Sequence, residues 1–218
     1  MRDAHLRQQV CDTMRQLDAQ GLNQGTSGNA SVRGSGDRLY VTPSALPPEC
    51  LTAADIVDMD FEGGWHCPNS PRKPTTEWRM HRDVLAARPE THAVVHAHSP
   101  WATALSCLRR DIPPFHYMVA VAGGRDIRCA DYATFGTQAL SDAATAALDG
   151  RDACLLANHG ILALGKTLPK ALALAVEVET LAAQYMRALQ VGEPVLLSDA
   201  EMAEVFEQFK DYGSVAAQ

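Results

Sequence analysis

Two of the chain's eight histidines stand two residues apart in Val94-Val95-His96-Ala97-His98. The run is short, apolar and β-branched, which predicts a strand. Side chains alternate faces along a strand, so His96 and His98 point one way while Val95 and Ala97 point the other. At about 6–7 Å between Cα atoms, the two imidazoles can converge on one ion. The plainer alternative is a stretch of buried strand. Ser99-Pro100 reads as an N-cap followed by proline at the first helical position, so a helix starts there and the histidine pair lies at a mouth rather than in mid-core. A third imidazole, His159, occupies the predicted turn Asn158-His159-Gly160 between two apolar runs, where Gly160 allows close backbone approach. Glu77 follows Thr75-Thr76 at a predicted helix start. It is either a first-turn carboxylate favoured by the helix dipole or a fourth metal-site group. Three imidazoles with an open position make a catalytic rather than a closed metal site, and a carboxylate beside the opening serves as ligand at rest and base when substrate arrives. Among the other histidines, His5 and His66 read as surface residues, His81 as a helix-face residue, His92 as a strand entry, and His116 as an outer partner beside Tyr117.

A second kind of chemistry lies in Gly25-Thr26-Ser27-Gly28-Asn29. Backbone N–H groups and short hydroxyls in a glycine-permitted turn form an anion nest, unless the segment is only a turn. It is not G-x-G-x-x-G, and it precedes a strand rather than a helix, so it is not a dinucleotide fingerprint. Thr75 and Thr76 stand at the N-terminus of the Glu77 helix, where the dipole favours an anion, unless Thr76 is simply an N-cap. A phosphate could thus be held by a chain of net charge −7 without a basic cluster. That acidity, with scattered Lys and Arg, argues against nucleic acid as the main partner.

The elements that must position these groups follow from periodicity. Leu6, Val10, Met14 and Leu17 form one helical face, closed by Gly21. A hairpin turns at Gly34-Ser35-Gly36-Asp37, and a short strand follows near Val57. Helices are expected from Glu77 to about Ala87, from Ser99-Pro100 to about Leu108, from Gly136 to Leu148, and from Pro169 to Val191. A last helix opens on the capping box Ser198-x-x-Glu201. The segment from Asp111 to Gly124 reads as a loop and strand. The expected architecture is α/β: a single domain over residues 1–218, with a mixed or largely antiparallel central sheet flanked by helices on both faces. Six cysteines without C-x-x-C spacing, charge throughout the first 17 residues and no stretch long enough to span a membrane predict a reduced, cytoplasmic protein with no membrane partner.

Four stretches taken together, "GTSGNASVR", "TTEWRMH", "VVHAHSPWA" and "NHGILALG", resemble the class II aldolase/adducin-type family, over essentially the whole chain. "IPPFHYMVAVAGG", "CADYATFGTQALS" and "FKDYG" are similar to its L-fuculose-1-phosphate aldolase branch. The resemblance implies a cytoplasmic homotetramer with active sites between subunits, and a zinc-dependent carbon–carbon lyase that splits a ketose 1-phosphate into dihydroxyacetone phosphate and a small aldehyde such as lactaldehyde. It implies one Zn2+ per subunit on His96, His98 and His159, with Glu77 the ligand that swings off as acid/base. Thr26, Asn29, Thr75 and Thr76 match phosphate-holding positions. Tyr117 matches a proton donor supplied to the adjacent subunit, and Tyr212 a C-terminal cover. Thr75-Thr76 replaces the usual Ser-Ser, and Ser44 stands where glycine is common, adding a donor or narrowing the site. Asn158 replaces a second histidine found in some members. Aldolases for 5-deoxyribulose or methylthioribulose 1-phosphate, sugar-phosphate 4-epimerases and dehydratases are related alternatives, as is an adducin-like binding module.

Overall fold

The computed structural model of the protein describes residues 3–67 and 70–211. The first helix, α1 (Ala4–Ala19), leads into strands β1 (Asn29–Arg33), β2 (Arg38–Val41), β3 (Val57–Asp60) and β4 (Trp65–His66). Then come α2 (Trp78–Ala87), β5 (Ala93–Ala97), α3 (Pro100–Ser106), β6 (Cys129–Ala130) and α4 (Gln138–Ala147). The chain closes with β7 (Ala153–Leu156), β8 (Gly160–Gly165), α5 (Leu168–Val191) and α6 (Asp199–Asp211).

Among the described residues, the strands form one eight-stranded sheet in the order β4-β3-β2-β1-β5-β8-β7-β6. Every pairing is antiparallel except β6 with β7, so the sheet is mixed and largely antiparallel, as expected. Strand alternation builds two cores. Ala30, Val32, Val95, Ala97, Ile161 and Ala163 face one way and pack with Val10 and Met14 of α1, Leu105 of α3 and Val178 and Leu181 of α5. Val41, Met59, Val94, Leu162 and Leu164 face the other way and pack with Met80 and Val84 of α2 and Leu140 and Ala144 of α4. Helices therefore cover both faces.

Two expectations are corrected. Tyr117–Ala122 forms a 3-10 helix, not a strand, and Gly123 at φ 87° closes it. The His116 ring accepts a hydrogen bond from the Met118 N–H and starts the turn. Val119 and Ala122, three residues apart, bury together against the α5 side of the sheet, which is the period of a 3-10 helix. At α3, the Ser99 side chain makes no cap bond. The Glu179 carboxylate of α5 accepts the Trp101 and Ala102 N–H groups instead, each at 2.8 Å. A full negative charge from a neighbouring helix satisfies that N-terminus and its dipole better than a local hydroxyl.

Candidate metal centre

The register places Asn29 opposite His96 on β1 and β5, and His96 opposite Leu162 on β5 and β8. His96 is the last-but-one residue of β5, and His98 follows its end. His159 sits in the β7–β8 connection beside Asn158, whose φ of 55° makes the turn sharp. A Cβ on Gly160 would lie 2.4 Å from the Ala97 carbonyl oxygen and 3.0 Å from the His98 ring, so glycine is what lets this turn close on the end of β5.

The three imidazoles meet. One ligating atom from each of His96, His98 and His159 lies within 4.8 Å of the others. The His96 ring is fully buried, and its Nδ1–H donates to the Ile161 carbonyl at 2.8 Å. That bond fixes the tautomer and turns a bare Nε2 lone pair inward. This Nε2 is 3.0 Å from His98 Nε2 and 3.2 Å from Glu77 Oε2, while His159 Nε2 is 3.2 Å from Glu77 Oε1. Burial lowers the pKa of all three rings, that of His159 to about 4, so they are neutral near pH 7. Burial opposes the charged form of Glu77, but His96, His159 and the hydrogen bond from Asn29 outweigh it and hold the carboxyl at about 2. Asn29 is the amide donor to Glu77 Oε2. Glu77 Oε1 is buried without a hydrogen-bond donor. Lone pairs and an under-satisfied carboxylate oxygen converging on one point are what a cation reconciles, so these residues fit a divalent metal.

The remaining predicted residues divide into two groups. Thr75 and Asn29 are turned inward: Asn29 Nδ2 donates to Glu77 Oε2 at 2.8 Å and to Thr75 Oγ1 at 3.2 Å, and Thr75 Oγ1 also accepts the Glu77 N–H. Asn29 thus ties Thr75 to Glu77. Thr26 is exposed and lines a narrow cleft with Ser27, Gly28 and Thr42, and Thr76 is exposed beside Glu77. Ser44 donates its N–H to the Lys73 carbonyl, and Thr75 donates to Thr42, which ties the two segments together. A pocket of about 240 Å³ opens over the centre, lined by Thr76, Glu77, His98, Asn158 and His159, with Tyr132 and Phe135 as an aromatic wall. Tyr117 lines no part of it. It is half exposed and stacks between His116 and Phe209 beside α6. Tyr212 lies outside the described residues.

Three features escaped the sequence reading. His81 is not a plain helix-face residue but fully buried behind Glu77. Its i+4 spacing from Glu77, on the same helix face, was the available signal. Asn23 accepts the His98 N–H at 3.0 Å and lies against Gly28, joining the Thr26 loop to the metal strand. The aromatic wall comes from the β6–α4 loop and has no periodic signature.

Comparison with known proteins agrees. The profile described as Class II Aldolase and Adducin N-terminal domain matches residues 8–186. The chain is 56% identical over 211 residues to the 5-methylthioribulose-1-phosphate/5-deoxyribulose-1-phosphate aldolase of Rhodospirillum rubrum, covering 97% of this chain and 94% of that one. It is 47% identical over 209 residues to the L-fuculose phosphate aldolase of Escherichia coli strain K12, covering 95% of each. A solved L-fuculose 1-phosphate aldolase superposes with a TM-score of 0.92 at 41% identity, over 96% of this chain and 98% of that one. With profile, relatives, sheet and histidine centre in agreement, the chain belongs to the class II aldolase and adducin N-terminal domain family.

Proposed function

We propose that the protein is a metal-dependent carbon–carbon lyase that reversibly splits a ketose 1-phosphate into dihydroxyacetone phosphate and a small aldehyde. The observation that carries this reading is the convergence of His96, His98 and His159 beside a buried Glu77, in a chain of this family. The ion is zinc, one per subunit, because imidazole nitrogens with one carboxylate suit a borderline cation. Bound there, it supplies Lewis-acid stabilisation of charge developing on the sugar oxygens, worth several kcal/mol. Glu77 moves the proton at the carbon that becomes C3 of dihydroxyacetone phosphate. Tyr117, from the neighbouring subunit of a homotetramer, manages the proton on the departing aldehyde's oxygen. An exposed Tyr117 apart from Glu77 in its own chain supports that division. Thr26, Asn29, Ser44, Thr75 and Thr76 with the Gly25–Gly28 loop hold the phosphate through side-chain donors and backbone N–H groups, and Asn29 also steadies Glu77. Tyr212 covers the pocket. The whole chain works as one unit in the cytoplasm.

L-Fuculose 1-phosphate and 5-deoxy- or methylthio-ribulose 1-phosphate both fit this chemistry. The 56% identical relative favours the ribulose-type sugars, and the Tyr132–Phe135 wall suits an apolar tail. A panel of these ketose 1-phosphates, with both products identified, tests the proposal. Release of dihydroxyacetone phosphate supports the lyase, and the sugar with the highest kcat/KM names the aldehyde. An isomerised, uncleaved sugar would replace the lyase with an epimerase.

A further inference from the structure

Behind Glu77 lies a buried row of polar side chains, and the reaction above assigns no work to two of them, Ser31 and His81. Ser31 and His81 are fully buried, Asn29 is 5% exposed and Glu77 7% exposed. Ser31 Oγ is 2.8 Å from His81 Nδ1, His81 Nε2 is 2.5 Å from Asn29 Oδ1, and Asn29 Nδ2 is 2.8 Å from Glu77 Oε2. Asn29 and Ser31 share a face of β1 by alternation, and Glu77 and His81 stand one turn apart along α2.

The row has one consistent direction. Glu77 as a carboxylate only accepts, so Asn29 must turn its NH2 group toward it. The Asn29 oxygen then faces His81 and requires Nε2 to carry the proton. A neutral ring protonated at Nε2 presents a bare Nδ1, which accepts the Ser31 hydroxyl proton. Reversing the Asn29 amide would set its oxygen against the carboxylate and leave His81 Nε2–H facing an NH2 group. The carboxylate thus sets the amide orientation, and the ring, donating from Nε2 to the Asn29 oxygen, holds the amide in it.

Resting on the lyase reading, the geometry points to His81 as a positioning residue: through the Asn29 amide it aims Glu77 Oε2 at the point where His96, His98 and His159 converge. His81 touches no substrate. Its contribution passes through Asn29 to Glu77, so it affects how Glu77 is presented.

The test compares His81→Phe, which fills the space without nitrogens, with His81→Gln, which can donate to Asn29 and accept from Ser31. Affinity for Zn2+ is measured by chelator competition, and kcat and KM are measured on the best sugar of the panel. Partners behind a metal ligand typically matter by roughly 10–100-fold in affinity or activity. His81→Phe is expected to lose that much in both Zn2+ affinity and kcat with KM within about twofold, and His81→Gln to recover most of both. Wild-type affinity and kcat in His81→Phe, or equal losses in the two variants, would overturn the inference. If His81→Phe does not fold, Ser31→Ala serves. It frees the tautomer and is expected to lower Zn2+ affinity and kcat severalfold, and no change in either would overturn the inference. The metal measurement needs no turnover, so it stands even if no sugar on the panel is cleaved and the lyase reading fails.

Discussion

The metal centre and the Tyr117–α6 region are built on opposite terms. At the centre, Glu77, His96 and His81 are buried, both ring nitrogens of His81 are hydrogen-bonded, and His96 is anchored through Nδ1 with its Nε2 turned inward. Adjacent strands and one turn of α2 bring these groups together within a single chain. Around Tyr117 the reverse holds. Tyr117 is 51% exposed, and Val191, Val195 and Leu196 stand open nearby in sequence to α6. Tyr117, Met118, Leu197, Val205 and Phe209 line a depression of about 530 Å³. One region is preorganised by its own fold. The other presents apolar surface and a phenol that does not line the pocket over the centre. The lesson is a division of labour: groups that must agree to within fractions of an ångström sit on adjacent elements of one chain, and the proposed role of Tyr117 asks only for an exposed phenol.

The largest break in this contrast comes from His96→Ala. It removes an inward lone pair and its backbone anchor, and should strip the metal and lower kcat by about 10³-fold or more, about 4 kcal/mol. Metal content by mass spectrometry and cleavage rate check both effects. Next come Glu77→Gln and Tyr117→Phe, each expected to lower kcat by about 10²–10⁴-fold while the protein stays folded. Mixing the two inactive variants under subunit exchange should restore up to about a quarter of the sites, because a hybrid pairs an intact Glu77 with an intact Tyr117 from its neighbour. No recovery would place both groups in one subunit.

Gly160→Ala is a smaller perturbation. Its Cβ would meet the Ala97 carbonyl at 2.4 Å, so β8 must shift by some tenths of an ångström. Thermal unfolding should report a loss of about 1–3 kcal/mol, with weaker metal retention because His159 moves with the turn. The smallest effect concerns protons. Burial holds His81 at about 3, against an ordinary 6.5. Between these values the unfolded chain is protonated at this position and the folded chain is not. His81 therefore contributes stability above about pH 6.5 that is lost as pH falls toward 3. Glu77, held at about 2, acts in the same direction lower down, losing its contribution as pH falls below its ordinary 4.5. The stability of metal-free protein against pH should be shallower in His81→Gln by up to one proton, about 1.4 kcal/mol per pH unit, across that window. An unchanged slope would mean that His81 titrates normally.

Much of the centre is legible from residue order because its rules are local. Alternation puts His96 and His98 on one face, and glycine after His159 permits the turn. The run Met118–Ala122 was expected as a strand because valine and alanine ended by paired glycines fit a strand as well as a buried turn. What favours the helix is the His116 ring accepting the Met118 N–H and the burial of Val119 with Ala122 against the α5 side. Ser99 was expected to cap α3 because the rule is local, and Glu179, some 80 residues away, outcompeted it with a charge. His81 looked ordinary because its partners Ser31 and Asn29 lie about 50 positions earlier.

The sequence by itself determined which residue types could hold a metal and an anion, and the alternating and helical faces that carry them, since those periodicities are properties of the backbone. Only the tertiary structure decided the rest. Pairing β1 with β5 and laying α2 across that face placed Asn29, His81 and Glu77 in one buried row. The same packing left Tyr117 facing outward. Both outcomes depend on contacts between distant segments, and no local rule of the chain encodes them.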